Sequence, residues 1–275
     1  MLSENLKKAT SLCFHGRLDR EELESLKAVG IEAVELSFSF DKYMNTFEFP
    51  ERFAEYAKLA KGIGIELWSI HLSFSDVLDI SSESDGRRAI TYYTNRKLIE
   101  AAGKAGIKVA VLHPSSEPIA DESRSERLKH SREGIIKMCE LCDRAGLLLA
   151  VENLPRTCLC NSSREMIDLL SGTGAGIVFD TNHSLSEDSV EFLAALVDSK
   201  IPILSLHISD YDFVDERHRL PGDGINSWKE IFLQLERGGY SGPLMYEVPC
   251  KPKGRDEISY AELSANMTAL AKWEI

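Results

Sequence analysis

Residues 143–183 read DRAGLLLAVENLPRTCLCNSSREMIDLLSGTGAGIVFDTNH. The stretch opens on the end of a helical segment, stops it at Gly146, and continues as the apolar run 147–151. Glycine just past the last helical residue is the usual left-handed C′ position. A short, near-continuous apolar run suits a strand of a parallel sheet buried on both faces. That run ends on Glu152, a helical pattern follows over 163–171, and GAG leads into a second run, IVFD, that ends on Asp180. Strand, helix and strand thus fill one repeat, and both strands finish on a carboxylate.

The same punctuation recurs outward in both directions. LKAVG precedes IEAVELS, AKGIG precedes IELWSIH, and GKAG precedes IKVAVLH; PILSLHIS and GPLMYEVP follow later, and SLCFHG opens the series. This spacing predicts eight strands near 11–15, 33–37, 66–72, 108–113, 147–152, 176–180, 202–208 and 243–248. Helices are predicted near 19–29, 49–62, 88–105, 122–145, 163–171, 187–199, 227–238 and 257–273. Eight alternating units close most economically into a (β/α)8 barrel, expected as a single domain over residues 1–275. An open doubly wound sheet is the alternative, but neither GxGxxG nor GxxxxGKS follows any strand.

In such a barrel the C-terminal strand ends form the floor of the active site. Here they read His15, Glu35, His71, His113, Glu152, Asp180, His207 and Glu247, with His183 three residues beyond Asp180. The steps from Glu152 to Asp180, His207 and Glu247 are 28, 27 and 40 residues. Each is one βα unit, the last lengthened by the loop YDFVDERHRLPGDG. Three carboxylates and an imidazole then aim at one point and form a hard, oxygen-rich donor set for one divalent ion: Mn²⁺, Mg²⁺, Co²⁺ or Zn²⁺. A lone acid at a strand end is commonly a helix cap or a salt-bridge partner. Several in one barrel mouth repel each other unless a cation joins them. His130, by contrast, falls inside a helix and reads as solvated.

Bulk properties narrow the function classes. The formal net charge is −12, from 32 basic and 44 acidic residues, which disfavours a nucleic-acid partner. No apolar run approaches the roughly 20 residues needed to span a bilayer. The N-terminus MLSENLKKAT lacks the apolar core of a secretion signal, so a cytoplasmic location is expected. The six cysteines are too scattered for a disulfide framework. Cys139 and Cys142 sit one helical turn apart in an apolar stretch and read as buried thiols, and no structural zinc is assigned. Cys158 and Cys160 lie just past a strand end.

The segments AVENLP, VFDTNH, LHISD, HRLPGDGINSW and YEVP resemble the xylose-isomerase-like TIM-barrel superfamily, which holds sugar isomerases and epimerases as well as zinc-dependent AP-site endonucleases. In the isomerase and epimerase branch the resemblance implies that Glu152, Asp180, His207 and Glu247 hold one divalent metal. It also implies that Glu152 and Glu247 form an acid–base pair acting through a cis-enediolate of an open-chain sugar or sugar phosphate. His183 matches a substrate-contacting histidine, and His71, His113 and His218 are further substrate-side candidates. Ketose epimerases carry an arginine at the position of Phe213, which leaves Arg217 or His218 to take its place. Arg156 and Arg219 join Arg217 as candidate phosphate ligands. A sugar dehydratase on the same scaffold would share the enolising step. Barrels of this class commonly pair, so a homodimer is an open expectation.

The endonuclease branch implies a rival. His71, His113, His183, His218 and Glu216, the last standing where those enzymes have aspartate, would complete further zinc sites for a phosphodiesterase. The acidic balance argues against it. A non-catalytic sugar-binding barrel is a third class, and retention of both glutamates with His183 argues against that.

Overall fold

The computed structural model describes residues 6–14, 19–37, 49–251 and 256–272. Eight strands alternate with eight helices. The strands are β1 (Lys8–Ser11), β2 (Ala33–Ser37), β3 (Glu66–His71), β4 (Val109–Leu112), β5 (Leu148–Glu152), β6 (Gly176–Asp180), β7 (Ile203–His207) and β8 (Leu244–Tyr246). Between and after them run α1 (Arg20–Ala28), α2 (Phe49–Ile63), α3 (Asp85–Ala105), α4 (Asp121–Ala145), α5 (Ser163–Leu170), α6 (Ser189–Ser199), α7 (Trp228–Arg237) and α8 (Tyr260–Ala271). Side chains of Asp19, Ser84, Ser162, Asp188 and Ser259 accept hydrogen bonds from first-turn amides and fix five of the helix starts. Gly106 and Gly146 end α3 and α4 at φ 78° and 80°, the left-handed stop their sequence positions predict.

All strand pairings are parallel, in the order β7-β6-β5-β4-β3-β2-β1-β8. Hydrogen bonds from Ile208 N to Met245 O (2.8 Å) and from Glu247 N to Ile208 O (3.0 Å) join β7 to β8 just beyond their ends. The result is a (β/α)8 barrel.

Large apolar side chains of helices and outward strand faces form the main core, including Leu36, Ile70, Leu112, Val151, Phe179 and Leu206. Inside the barrel the packing is tighter and smaller: Val109, Val111, Ala150 and Val178 in one cluster, Ala9, Ala33 and Met245 in another, with Trp68 touching both. Side chains alternate along a strand with period two. The inward positions one step above Ala33, Val111, Ala150, Val178 and Met245 are therefore Glu35, His113, Glu152, Asp180 and Glu247. An apolar plug floors a polar layer.

Two sequence expectations need correction. Strand β1 lies at Lys8–Ser11, not 11–15. Its register is set by both neighbours, Ala9 opposite Ala33 and Lys8 opposite Leu244. The apolar Leu12 marks packing in the helix-facing core, not a continuing strand. Lys8 hides the strand's start, because its ammonium is held by Ser264 and Thr268 of α8. His15, expected at this strand's end, lies outside the described residues. His130 is not solvated: its side chain is 13% exposed, with Nε2 3.2 Å from Glu126, and its Nδ1 is buried without a hydrogen-bond partner.

The paired cysteines of α4 are buried thiols, as their spacing suggests. Burial pushes Cys139 up to about 11 and Cys142 up to about 12. No helix among the described residues is long and apolar enough to cross a membrane.

The closest helix approach sets a test of packing. A Cβ on Gly103 of α3 would stand 2.4 Å from the carbonyl oxygen of Ala145 at the end of α4. Gly103→Ala should lower stability by about 1–3 kcal/mol through forced separation of the two helices. A denaturant midpoint equal to that of the parent protein would refute this.

Candidate metal-binding active site

Glu152, Asp180 and His207 end three neighbouring strands, and Glu247 follows the last residue of β8. All four are buried, and one ligand atom from each lies within 4.8 Å of the others. The His207 Nδ1 faces Glu152 Oε1 at 2.9 Å, Glu247 Oε2 at 3.5 Å and Asp180 Oδ2 at 3.9 Å. On its other side, His207 Nε2 lies 2.9 Å from Glu35 Oε1. Glu35 is itself fixed by the hydroxyls of Ser11 (3.0 Å) and Ser69 (2.7 Å), its partners across β1 and β3. A carboxylate that takes the far N–H of a ring sets its tautomer and leaves the near nitrogen as a ligand.

Backbone carbonyls do the same for other rings. His71 Nδ1 is 3.0 Å from Leu72 O, His183 Nδ1 is 2.9 Å from Asn153 O, and His218 Nδ1 is 3.1 Å from Glu247 O. Nε2 of His71 then lies 3.2 Å from Glu152 Oε2 and Nε2 of His183 lies 3.4 Å from Glu216 Oε2, where each donates when its ring is charged and could turn a lone pair to an ion once that proton is lost. His113 Nε2 also lies 3.2 Å from Glu152 Oε2. Two more ligand-like groups result: His71, His113 and Glu152 on one side, and His183, Glu216 and His218 on the other.

A cation fits the central group. Asp180 Oδ2 is buried with no hydrogen-bond partner, although its Oδ1 accepts from Asn182 N at 2.6 Å. Burial, then the charges of Glu152 and Glu247, holds the Asp180 carboxyl well above the usual carboxylate range. Against the opposing effect of burial, Glu152, Glu247 and Glu35 raise the His207 imidazole well above its ordinary value. Burial likewise opposes charge on His183, yet Asp180 and Glu216 carry that ring up to about 10. Without a metal, the cluster's acids and imidazoles must hold extra protons to share the space; a divalent ion replaces them.

A cavity of about 460 Å³ opens over this layer. Its floor is His71, His113, Glu152, His183, His218 and Glu247. Phe74 stacks on His113 with ring centroids 3.8 Å apart, and Phe14 meets His218 edge-on at 5.0 Å. The loop after β7 delivers Glu216 and His218, with His218 at φ 46° in the left-handed region. Asn182 Oδ1 holds this turn by accepting from the amides of Arg217 (2.8 Å) and His218 (3.3 Å).

Of the residues named from sequence, His71, His113, Glu152, Asp180, His183, His207 and Glu247 meet here, and Glu216 and His218 join them. Arg217 does not line the cavity; its guanidinium pairs with Asp212 at 2.9 Å. Arg219 shares that aspartate at 3.1 Å. Sequence reasoning placed Glu35 at a strand end but gave it no task, since its partner lies 172 residues away. It also passed over Cys13, whose thiol donates to Glu247 Oε1 at 3.2 Å, and Phe74.

Residues 23–270 match the family model of the xylose isomerase-like TIM barrel. The chain belongs to that family. It is 24% identical over 236 residues to an L-ribulose-5-phosphate 3-epimerase of Shigella boydii, covering 83% of this chain and 81% of that one. It is 22% identical over 248 residues to a ketose 3-epimerase of Arthrobacter globiformis, covering 86% and 81%. An uncharacterized protein of Methanocaldococcus jannaschii is 26% identical over 185 residues, 65% of this chain and 63% of that protein. Among solved structures, a D-tagatose 3-epimerase-like protein shares the fold with a TM-score of 0.82, 21% identity and 98% coverage of both chains.

The hydrogen bond between His207 and Glu35 carries a test. Glu35→Gln should leave the protein folded but weaken Mn²⁺ binding about 10–100-fold, read by competition with a metallochromic dye. Unchanged affinity would show that Glu35 does not tune the ligand. Because His207 and Asp180 hold protons in the free site, Mn²⁺ affinity of the parent protein should rise between about pH 6 and about pH 8. A flat profile would contradict this.

Proposed function

We propose that this protein is a divalent-metal-dependent sugar epimerase or isomerase that uses Glu152 and Glu247 as its acid–base pair. The observation that carries the reading is that these carboxylates, from β5 and beyond β8, both face His207 Nδ1 at the cavity floor, 2.9 and 3.5 Å away. The β6 and β7 strands lie between them, so they reach a bound sugar from different directions. The epimerase relatives support the same class of chemistry.

Glu152, Asp180, His207 and Glu247 would hold the ion. When bound, it supplies polarisation of the sugar carbonyl, which lowers the barrier to removing the neighbouring C–H proton. One glutamate takes that proton. The other returns a proton to the opposite face of the same carbon for epimerisation, or proton return at the adjacent carbon moves the carbonyl for isomerisation. His183, fixed through Nδ1 by Asn153, stands where its Nε2 can hydrogen-bond an oxygen that gains negative charge. Burial opposes charge on Glu247, but His207 and His218 beside it keep its carboxyl below the usual range and therefore ionised, with a free oxygen to accept a proton. The Cys13 thiol, pushed up by burial and by Glu247 itself, remains protonated and orients that carboxylate.

Glu247→Gln should abolish exchange of the substrate C–H proton with solvent deuterium, with an unchanged circular dichroism spectrum. Exchange that persists at the parent rate would remove Glu247 from the pair.

A second reading is favoured by the two flanking groups around Glu152 and Glu216. Filled with metal, they would make the site multinuclear and suited to phosphodiester hydrolysis by a bridging hydroxide. Metal analysis separates the two: one ion per chain supports the sugar enzyme. Three ions, with cleavage of a bis-aryl phosphate and no ketose exchange, would sink it.

A further inference from the structure

Resting on the epimerase reading, we infer that the sugar taken by this site is uncharged, a free ketose and not a phosphate ester. Among the described residues, the cavity offers a phosphate no unpaired guanidinium or ammonium. Among the described residues lining the cavity, Arg156 stands as the single guanidinium or ammonium against five carboxylates: Asp76, Glu117, Glu152, Glu216 and Glu247. Arg156 is already committed. Its Nε lies 2.9 and 3.1 Å from the two Glu117 oxygens, and its Nη2 lies 2.5 Å from Oε1. Its Nη1 reaches Asp215 at 2.7 Å and Glu216 at 3.4 Å. A dianion would have to displace this cage, and the five carboxylates around the cavity repel it.

The amide cradle of the long loop is filled as well. Barrels of this architecture often bind phosphate with the loops after strands seven and eight. Here the buried carboxylate of Asp210 occupies that role. Its Oδ1 accepts from the amides of Tyr211 (3.0 Å) and Asn226 (3.1 Å), and its Oδ2 from the amide of Gly222 (2.9 Å) and the indole of Trp228 (3.1 Å). A Cβ on Gly224 would come within 2.3 Å of Oδ1, so the loop is closed tightly around the protein's own anion. Two apolar faces also line the cavity: Phe14 and Phe74 are 42% and 46% exposed, flat surfaces suited to sugar C–H groups.

Calorimetry on the Mn²⁺-loaded full chain tests this with two matched pairs, D-fructose against D-fructose 6-phosphate and L-ribulose against L-ribulose 5-phosphate. Each free ketose should bind at least about tenfold more tightly than its ester, and the gap should shrink as salt is raised. An ester that binds as tightly as its free sugar, or more tightly, overturns the inference. Glu117→Gln, which removes one carboxylate from Arg156, should narrow the gap; an unchanged gap would also overturn it. Deuterium exchange on the same pairs separates this claim from the parent reading. If free ketoses bind preferentially but exchange no C–H proton, the epimerase reading falls and the charge preference stands.

Discussion

Two backbone hydrogen bonds, Ile208 N to Met245 O and Glu247 N to Ile208 O, close the ring of strands. They also bring Glu247 to His207. Closure forces every inward side chain toward a shared axis. Period-two alternation then stacks a polar layer on an apolar one, Glu152 over Ala150 and Asp180 over Val178. The four-residue central group is a direct product of sheet geometry, and the loop after β7 adds His218 and Glu216 to it.

The cost of that layer is electrostatic. Buried carboxylates from three strand ends stand within one ion's reach, and Asp180 keeps an oxygen with no hydrogen-bond partner. Such an arrangement is unfavourable for an apolar-floored pocket unless protons or a cation offset the charge. The far nitrogens of His71, His183, His207 and His218 are each engaged by a carbonyl or by Glu35, so the remaining nitrogen of each ring could serve an ion once its proton is displaced. Charge around the rim is handled differently. Arg156, Arg217 and Arg219 are absorbed by Glu117, Asp212 and Asp215, which ties three loops together.

Most of the architecture was legible because its signals are local. Glycine stops, apolar runs and strand-end polar residues each need only a few neighbouring positions to be read, and β2 and β6 fall where the pattern puts them. The misreadings share one cause. Lys8 is a strand residue because α8 solvates its ammonium, and Leu12 is apolar because it packs under helices. His130 is covered because α3 and α4 lie together. In each case the partner is distant in sequence.

The order of residues alone determined the eightfold repeat, the inward phase of each strand and the identity of the converging acids and imidazoles. Those follow from short-range rules of backbone conformation and side-chain alternation. Only the tertiary structure decided that Glu35 would hold His207, that Asp210 would fill the amides of its own loop, and that Arg217 would turn to Asp212 instead of the cavity. Those choices depend on which charged groups come within a few ångströms after the ring has closed, and no local pattern encodes that distance.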